Sequence, residues 1–420
     1  MSYTDTEGVE RRADEEIVVQ ALSALGIEVE RVGDAASVVA MEDATAPPPL
    51  SPVEVQWTDR PSRAVPVIVP PGVAAENVWV SLELENGGTR HRRLTEIARA
   101  VGRDSRGLDH FRLELSSPDG ALPTGYHHLR LEGPGVVTSS LLVVAPRCPV
   151  ATRGWGAFLP LFALGSDGDW GVGRLADLGA LRSFVGSLGA SFLGTLPLYP
   201  TFLDDPSSDP SPYLPITRLG WNEVYVDPRI EPELAVSEEA RRLLASDSFR
   251  ARIDATRQAP SVDHAGTLAA VRTILEPLSR ALFVGPSLRR EQFETFLGER
   301  PHVQRYAEFR ARHAATPGPD VGRVVEYHLY AQWVAHEQLA AAAGRGAGTG
   351  LYLDVPIGVH PDGFDPVDRP EAFVAGMHGG APPDAFFAQG QDWSFPPLHP
   401  TGIRGGDFDY IVSYLRQVMS

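Results

Sequence analysis

Between residues 53 and 146 apolar and polar positions alternate with period two. The stretches 53–57, 77–84, 110–115 and 127–131 each put every second side chain on one face, and Gly, Pro and Asp turns separate them. Short alternating runs of this kind predict an antiparallel β-sandwich. Ahead of them, 15–26 has helical spacing and ends on Gly26 as a C-cap. Residues 45–52, with four prolines in eight positions, read as a linker. From Arg153 the period changes. The apolar runs 157–164 and 191–198 read as buried strands, and the amphipathic stretch 173–188 between them reads as a helix. Together they predict a βαβ unit with a parallel pair. Residues 236–315 carry Ala, Arg, Leu and Glu in helical patterns, and 325–340 predicts a long helix whose aromatic stripe packs against a core. A β-branched run at 351–359 reads as a third buried strand, and 408–419 as a last helix.

Composition narrows the function. The 420 residues are 43% hydrophobic and 22% charged, proportions of a water-soluble globular protein with room for two or three cores. A net charge of −17 with no offsetting basic patch argues against nucleic acid as a partner. The single cysteine, Cys148, permits no disulfide framework and fits a reducing, cytoplasmic setting. No run of about 18 apolar residues predicts a membrane span. Every Lys/Arg position is arginine. That excludes Schiff-base lysines, pyridoxal anchors and P-loop lysines.

The stretch 380–393, Gly-Ala-Pro-Pro-Asp-Ala-Phe-Phe-Ala-Gln-Gly-Gln-Asp-Trp, is too long and too rich in special residues for a simple turn. Asp384, Gln391 and Trp393 supply the groups that recognise a sugar: carboxylate and amide for hydroxyls, an aromatic face for a pyranose ring. A proline-stiffened surface loop with a packing Trp is the plainer alternative. A second segment, Ser211-Pro-Tyr213 followed by 218–227, comes after the second strand, and Asp354 ends the third. In a β/α barrel the C-terminal ends of strands share one rim, where active sites lie. Gly171-Val-Gly-Arg-Leu-Ala176 matches the dinucleotide pattern G-x-G-x-x-A formally, but lacks the tight turn before it and a ribose-binding acid after it. A dinucleotide-dependent oxidoreductase rests on that match alone. His336-Glu337 starts a zincin motif with no second histidine, so no metal or cofactor is expected.

With these motifs in hand the chain resembles the 4-α-glucanotransferases (amylomaltases, glycoside hydrolase family 77). Gly154-Trp-Gly, 161–164 and 169–178 are similar to the entry of that family's barrel, and Ser211-Pro-Tyr213 with Asn222 to its S-P-Y…N-P segment. Glu223 stands where proline is common. Asp354-Val-Pro-Ile357 resembles the D-x-P-I strand, with Asp362 at the position of a second acid. Pro382-Pro-Asp384…Gly390-Gln-Asp-Trp393…Pro396 resembles the long loop over the active site, and 53–146 the N-terminal sandwich of the bacterial, sandwich-bearing members. The resemblance implies residues 1–49 as a helical segment and linker and 50–148 as the β-sandwich. It makes 149–420 the first part of an incomplete TIM-type (β/α)8 barrel, with a helical insertion at about 236–320. It implies that Ser211, Tyr213, Asp354, Asp384, Gln391 and Trp393 contact a maltooligosaccharide or starch-like glucan.

The family's reaction is retaining transfer of an α-1,4-glucan to another sugar's 4-hydroxyl, which requires a nucleophilic and an acid/base carboxyl about 5 Å apart. Its nucleophile lies in R-I-D-H, directly after the helix at which these 420 residues stop, and the other acids lie later. The expectation is therefore a chain that grips glucan, carries no catalytic residue, and is active only with a complementary C-terminal half. A non-catalytic glucan-binding protein is the alternative. An unclosed barrel is expected to expose an apolar face at Leu159, Leu161, Phe192 and Leu196. Asp407 and Asp409 are expected to be exposed in the terminal helix.

Overall fold

The structure, a computed structural model, describes all residues except 1, 5–7, 39–46, 61–62, 116–121, 148–152, 314–319, 345–347 and 420. Cys148 and the start of the proline-rich linker lie outside the described residues. The chain divides into two units, one of residues 1–152 with 399–410 and one of 153–398 with 411–420.

In the first unit a helix, α1 (Glu15–Ala24), is capped by Asp14, whose side chain accepts from the Glu16 amide. Gly26 follows it at φ 79°, where only glycine is unstrained. Eight strands follow: β1 (Val53–Trp57), β2 (Val65–Val69), β3 (Trp79–Glu83), β4 (Thr89–Arg93), β5 (Ala98–Arg103), β6 (Asp109–Leu113), β7 (Gly125–Gly133) and β8 (Val136–Ala145). They form a five-stranded sheet in the order β1-β8-β7-β3-β4 and a three-stranded sheet in the order β2-β6-β5. All neighbours are antiparallel except β1 beside β8. Val65, Val67 and Val69 of one sheet and Val80, Leu82, Leu129, Leu131, Leu142 and Val144 of the other fill a single core. The period-two pattern has the physical meaning expected of it. The edge strand β4, Thr-Arg-His-Arg-Arg, carries three arginines, which disfavour further strand addition. His127 is buried with its Nδ1 accepting from the Glu85 amide, and the described residues hold no cluster of three or more metal-ligating side chains. Asp407 is a correction: it sits at φ 51° before the terminal helix, half-buried, and accepts a hydrogen bond from Ser139 Oγ at 2.7 Å.

The second unit holds three parallel strands, β9 (Gly156–Phe158), β10 (Phe192–Thr195) and β11 (Gly350–Leu353), in that order. The helix α2 (Leu175–Ser187) connects the first two. The strands are shorter than the apolar runs suggested. Pro160 starts a 3-10 turn at Leu161–Ala163, and the run after Leu353 leaves the sheet before Pro356. Between β10 and β11 lie α3 (Glu238–Ala245), α4 (Asp247–Gln258), α5 (His264–Leu282), α6 (Leu288–Glu299), α7 (His302–Arg312) and α8 (Val321–Ala343). Ser237, Ser246, Asp263, Ser287 and Asp320 cap five of these helices through side chain–amide hydrogen bonds. The stripe Tyr327, Tyr330 and Trp333 is buried where α8 packs against α2, α5 and α7. Each such side chain contributes roughly 1.5–3 kcal/mol by leaving water. The last helix, α9, is Asp409–Met419.

The sheet does not close into a barrel. Its register sets Phe158 and Tyr352 opposite Gly194, and Phe192 opposite Gly156 and Gly350. One face thus carries Phe158, Phe192 and Tyr352, 56%, 38% and 65% exposed. Leu193, Leu351 and Leu353 on the other face join the core. Of the residues expected on the open face, Phe192 is there, but Leu161 is buried in the 3-10 turn and Leu159 and Leu196 are half-buried. Strand β9 ends at Phe158 and β10 at Thr195, before their apolar runs do, so the alternation does not extend to these residues.

Candidate functional site

Tyr213 and Asp354 meet. The Tyr213 hydroxyl donates to Asp354 Oδ2 at 2.8 Å, joining the segment after β10 to the residue that follows β11. Tyr213 is nearly half exposed, so its ring is available to a ligand while its hydroxyl is already directed. The hydrogen bond to the carboxylate holds the phenol above its ordinary pKa, because ionisation would set two anions together. Ser211 stands beside it: its Oγ accepts from the Tyr213 amide at 3.3 Å, and its own amide donates to Asp209 Oδ1. Asn222 caps a 3-10 turn through the Val224 amide and donates to the Tyr199 carbonyl.

Glu223, the departure from the proline expected there, is buried. Its Oε1 accepts from Tyr327 Oη at 3.2 Å and Arg272 Nη2 at 3.3 Å. Arg272 and Arg310 both also reach Asp204 Oδ2. A carboxylate here fastens the 211–223 segment to α5 and α8, which a proline could not do.

Asp384, Gln391 and Trp393 form a second group on a loop whose base is a two-residue antiparallel ladder, Gly380–Ala381 with Gln391–Asp392. Asp384 Oδ1 accepts from the amides of Phe386 and Phe387, at 2.8 and 2.7 Å, and so shapes the tip of the loop. Phe386 is 91% exposed. The indole of Trp393 donates to Gln391 Oε1 at 3.3 Å and lies near-parallel to the ring of buried Phe395. Phe395 is wedged against Gly358 and Gly379; a Cβ at either would fall inside its ring. His378 and Asp392 hydrogen-bond at 3.0 Å across the base, which, with the Ser394 amide, holds the Asp392 carboxyl below its usual range. Among the described residues no hydrogen bond joins this group to the Tyr213–Asp354 pair. The sequence did not point to Phe395 or His378; the Gly379-Gly380 doublet was the available signal for a close approach. Asp362 is exposed, and its amide donates to His360 Nδ1.

Residues 159–420 match the family described as 4-alpha-glucanotransferase, and residues 49–146 match the MalQ N-terminal beta sandwich domain. The chain belongs to the 4-alpha-glucanotransferase family. Similar proteins include the 4-alpha-glucanotransferase of Mycobacterium tuberculosis, 28% identical over 95% of this chain and 59% of that protein. That of Haemophilus influenzae is 25% identical over 70% of this chain and 48% of its own length. The crystal structure of amylomaltase from Corynebacterium glutamicum superposes with a TM-score of 0.77 at 27% identity, covering 99% of this chain and 61% of that one. The chain thus spans between about half and three fifths of the length of these longer relatives. The Gly171 region of this chain has a packing role. The Gly171 amide donates to Asp169, a Cβ there would press on Thr256 and Thr267, and the first turn of α2 is closed by Asp177 accepting from the Arg174 amide. No helix among the described residues is long and apolar enough to cross a membrane.

Proposed function

We propose that this chain supplies the glucan-gripping rim of a 4-α-glucanotransferase acting on maltooligosaccharides or starch-like α-glucan. The observation that carries the reading is the 2.8 Å bond between Tyr213 and Asp354, which pre-aims a phenol and a carboxylate from two strand ends at one place. Tyr213 and Asp354 engage sugar hydroxyls, with Ser211 beside them. Trp393 offers an aromatic face, with Gln391 and Asp384 on the same loop. Carboxylates bound to a directed donor accept a hydroxyl proton without reorganising, and an indole already stacked on Phe395 loses little freedom on binding. The reading assigns these residues the grip on the glucan and none of the roles of nucleophile or acid/base that retaining transfer requires.

Isothermal titration of the chain with maltotriose and longer maltooligosaccharides tests the grip. Binding is expected to weaken about tenfold in Tyr213→Phe and more in Trp393→Ala, in line with a lost directed hydrogen bond and a lost stacking face. Heat release that is the same in wild type and both variants would refute the assignment. Disproportionation of maltotriose, assayed with the chain alone and with a C-terminal part of a family member added, tests the division of labour. Turnover by the 420 residues alone would overturn it.

A further inference from the structure

We infer that Arg218 is a positioning residue that sets the contact between Tyr213 and Asp354. Its side chain is 3% exposed and spans from one segment of the rim to the other. Nη1 donates to the carbonyls of Pro356 and Ile357, both at 3.2 Å, the second and third residues beyond Asp354. The guanidinium lies over the ring of Tyr414 in α9, 4.3 Å from its centroid. Its own main-chain amide donates to Asp365 Oδ2 at 2.9 Å, and neighbouring Thr217 Oγ1 donates to Asp365 Oδ1. Asp365 is 1% exposed, so a carboxylate as well as a cation is committed to this junction.

Two carbonyls in succession that face inward to one cation fix the path of the chain where it leaves β11. Pro356 adds rigidity: its ring locks its own φ and keeps Val355 extended. Asp354 therefore has little room to move once Pro356 and Ile357 are held. Five residues before Arg218, Tyr213 is held on the other side. Main-chain bonds from His360 to Pro215 and from Phe364 to Ile216 run parallel to the arginine and hold the two segments together further along. They do not touch 354–357, and Arg218 does. Arginine suits the task because its charge is permanent and its flat guanidinium lies over Tyr414 while Nη1 donates to both carbonyls, a seating that a rounded ammonium on a flexible stem does not reproduce.

The test uses the 420-residue chain with Arg218→Gln and Arg218→Lys, each with and without Tyr213→Phe. Tyr213 is titrated spectroscopically as the difference between each protein and its Tyr213→Phe counterpart. In wild type the phenol ionises above the ordinary tyrosine range; in Arg218→Gln its ionisation falls back to that range, and Arg218→Lys does not restore it. Maltooligosaccharide binding weakens about tenfold in Arg218→Gln, and adding Tyr213→Phe to it costs nothing further. A merely structural arginine would leave the titration of Tyr213 in place and make the two losses additive. Should Arg218→Gln not fold, Arg218→Lys decides by the same titration. An unchanged Tyr213 in either folded variant overturns the inference. The inference rests on the proposed glucan site for its binding arm only: wild type that binds no glucan but shows the titration shift would sink that functional reading and leave Arg218 in its role.

Discussion

Glu231 is the residue whose charge state the fold controls most visibly outside the rim. Burial raises its carboxyl to about 7; Gln338 Nε2 bonds it at 2.7 Å, Glu233 and Glu337 add to the rise, and Arg289 opposes it. Arg289 bridges all three carboxylates and lies 4.0 Å from the Trp333 centroid, and Tyr330 donates to Glu233. A carboxyl whose folded pKa lies above its unfolded value binds its proton more tightly in the folded chain. Its contribution is most favourable below the ordinary carboxylate range and is lost as pH rises through about 7. Glu231→Gln removes that dependence. The variant is expected to match wild type in thermal stability near pH 4 and to exceed it by an amount on the order of 2 kcal/mol near pH 8. Calorimetric scans at the two pH values check this; a gap that does not widen with pH would show that Arg289 fully offsets the burial.

At the scale of elements, the Glu223–Arg272–Asp204–Arg310 network joins the S-P-Y segment to three helices. Removing one partner of a buried ion pair leaves the other charge uncompensated, so Glu223→Ala is expected to cost about 3 kcal/mol in urea unfolding. A loss below about 1 kcal/mol would mean that Asp204 alone satisfies Arg272. This network was not legible in the sequence, because Glu223 lies 49 residues from Arg272 and 104 from Tyr327. What was legible had a short-range cause. The helices after 236 carry Ser or Asp caps followed by apolar spacing, and β3, β6 and β7 alternate cleanly. Strand β2 contains Pro66, β4 has arginine at three of five positions, and β5 has Gly102 at a register shift, so none of them stood out as a strand. Strands β9 to β11 were read too long because an apolar run does not say where the chain turns off the sheet. Tyr213 and Asp354 were proposed through motifs, whereas Arg218 bonds to carbonyls, which any sequence supplies.

For the molecule as a whole, the unclosed sheet turns three exposed aromatic rings, Phe158, Phe192 and Tyr352, outward on one face. Replacing the three with Ser, Ser and Thr is expected to lower self-association in sedimentation velocity at high salt, where charge repulsion is screened and apolar contact dominates. Equal sedimentation of the two proteins would show that the face does not drive association. The cations paired within each unit are guanidinium groups with a few imidazoles, since the chain has no lysine. Reagents that acylate or crosslink primary amines therefore find no side chain to attack, and only the main-chain amino terminus remains. A dye or tether introduced by such chemistry would go to one place on each molecule, and would leave every internal charge pair as folding made it.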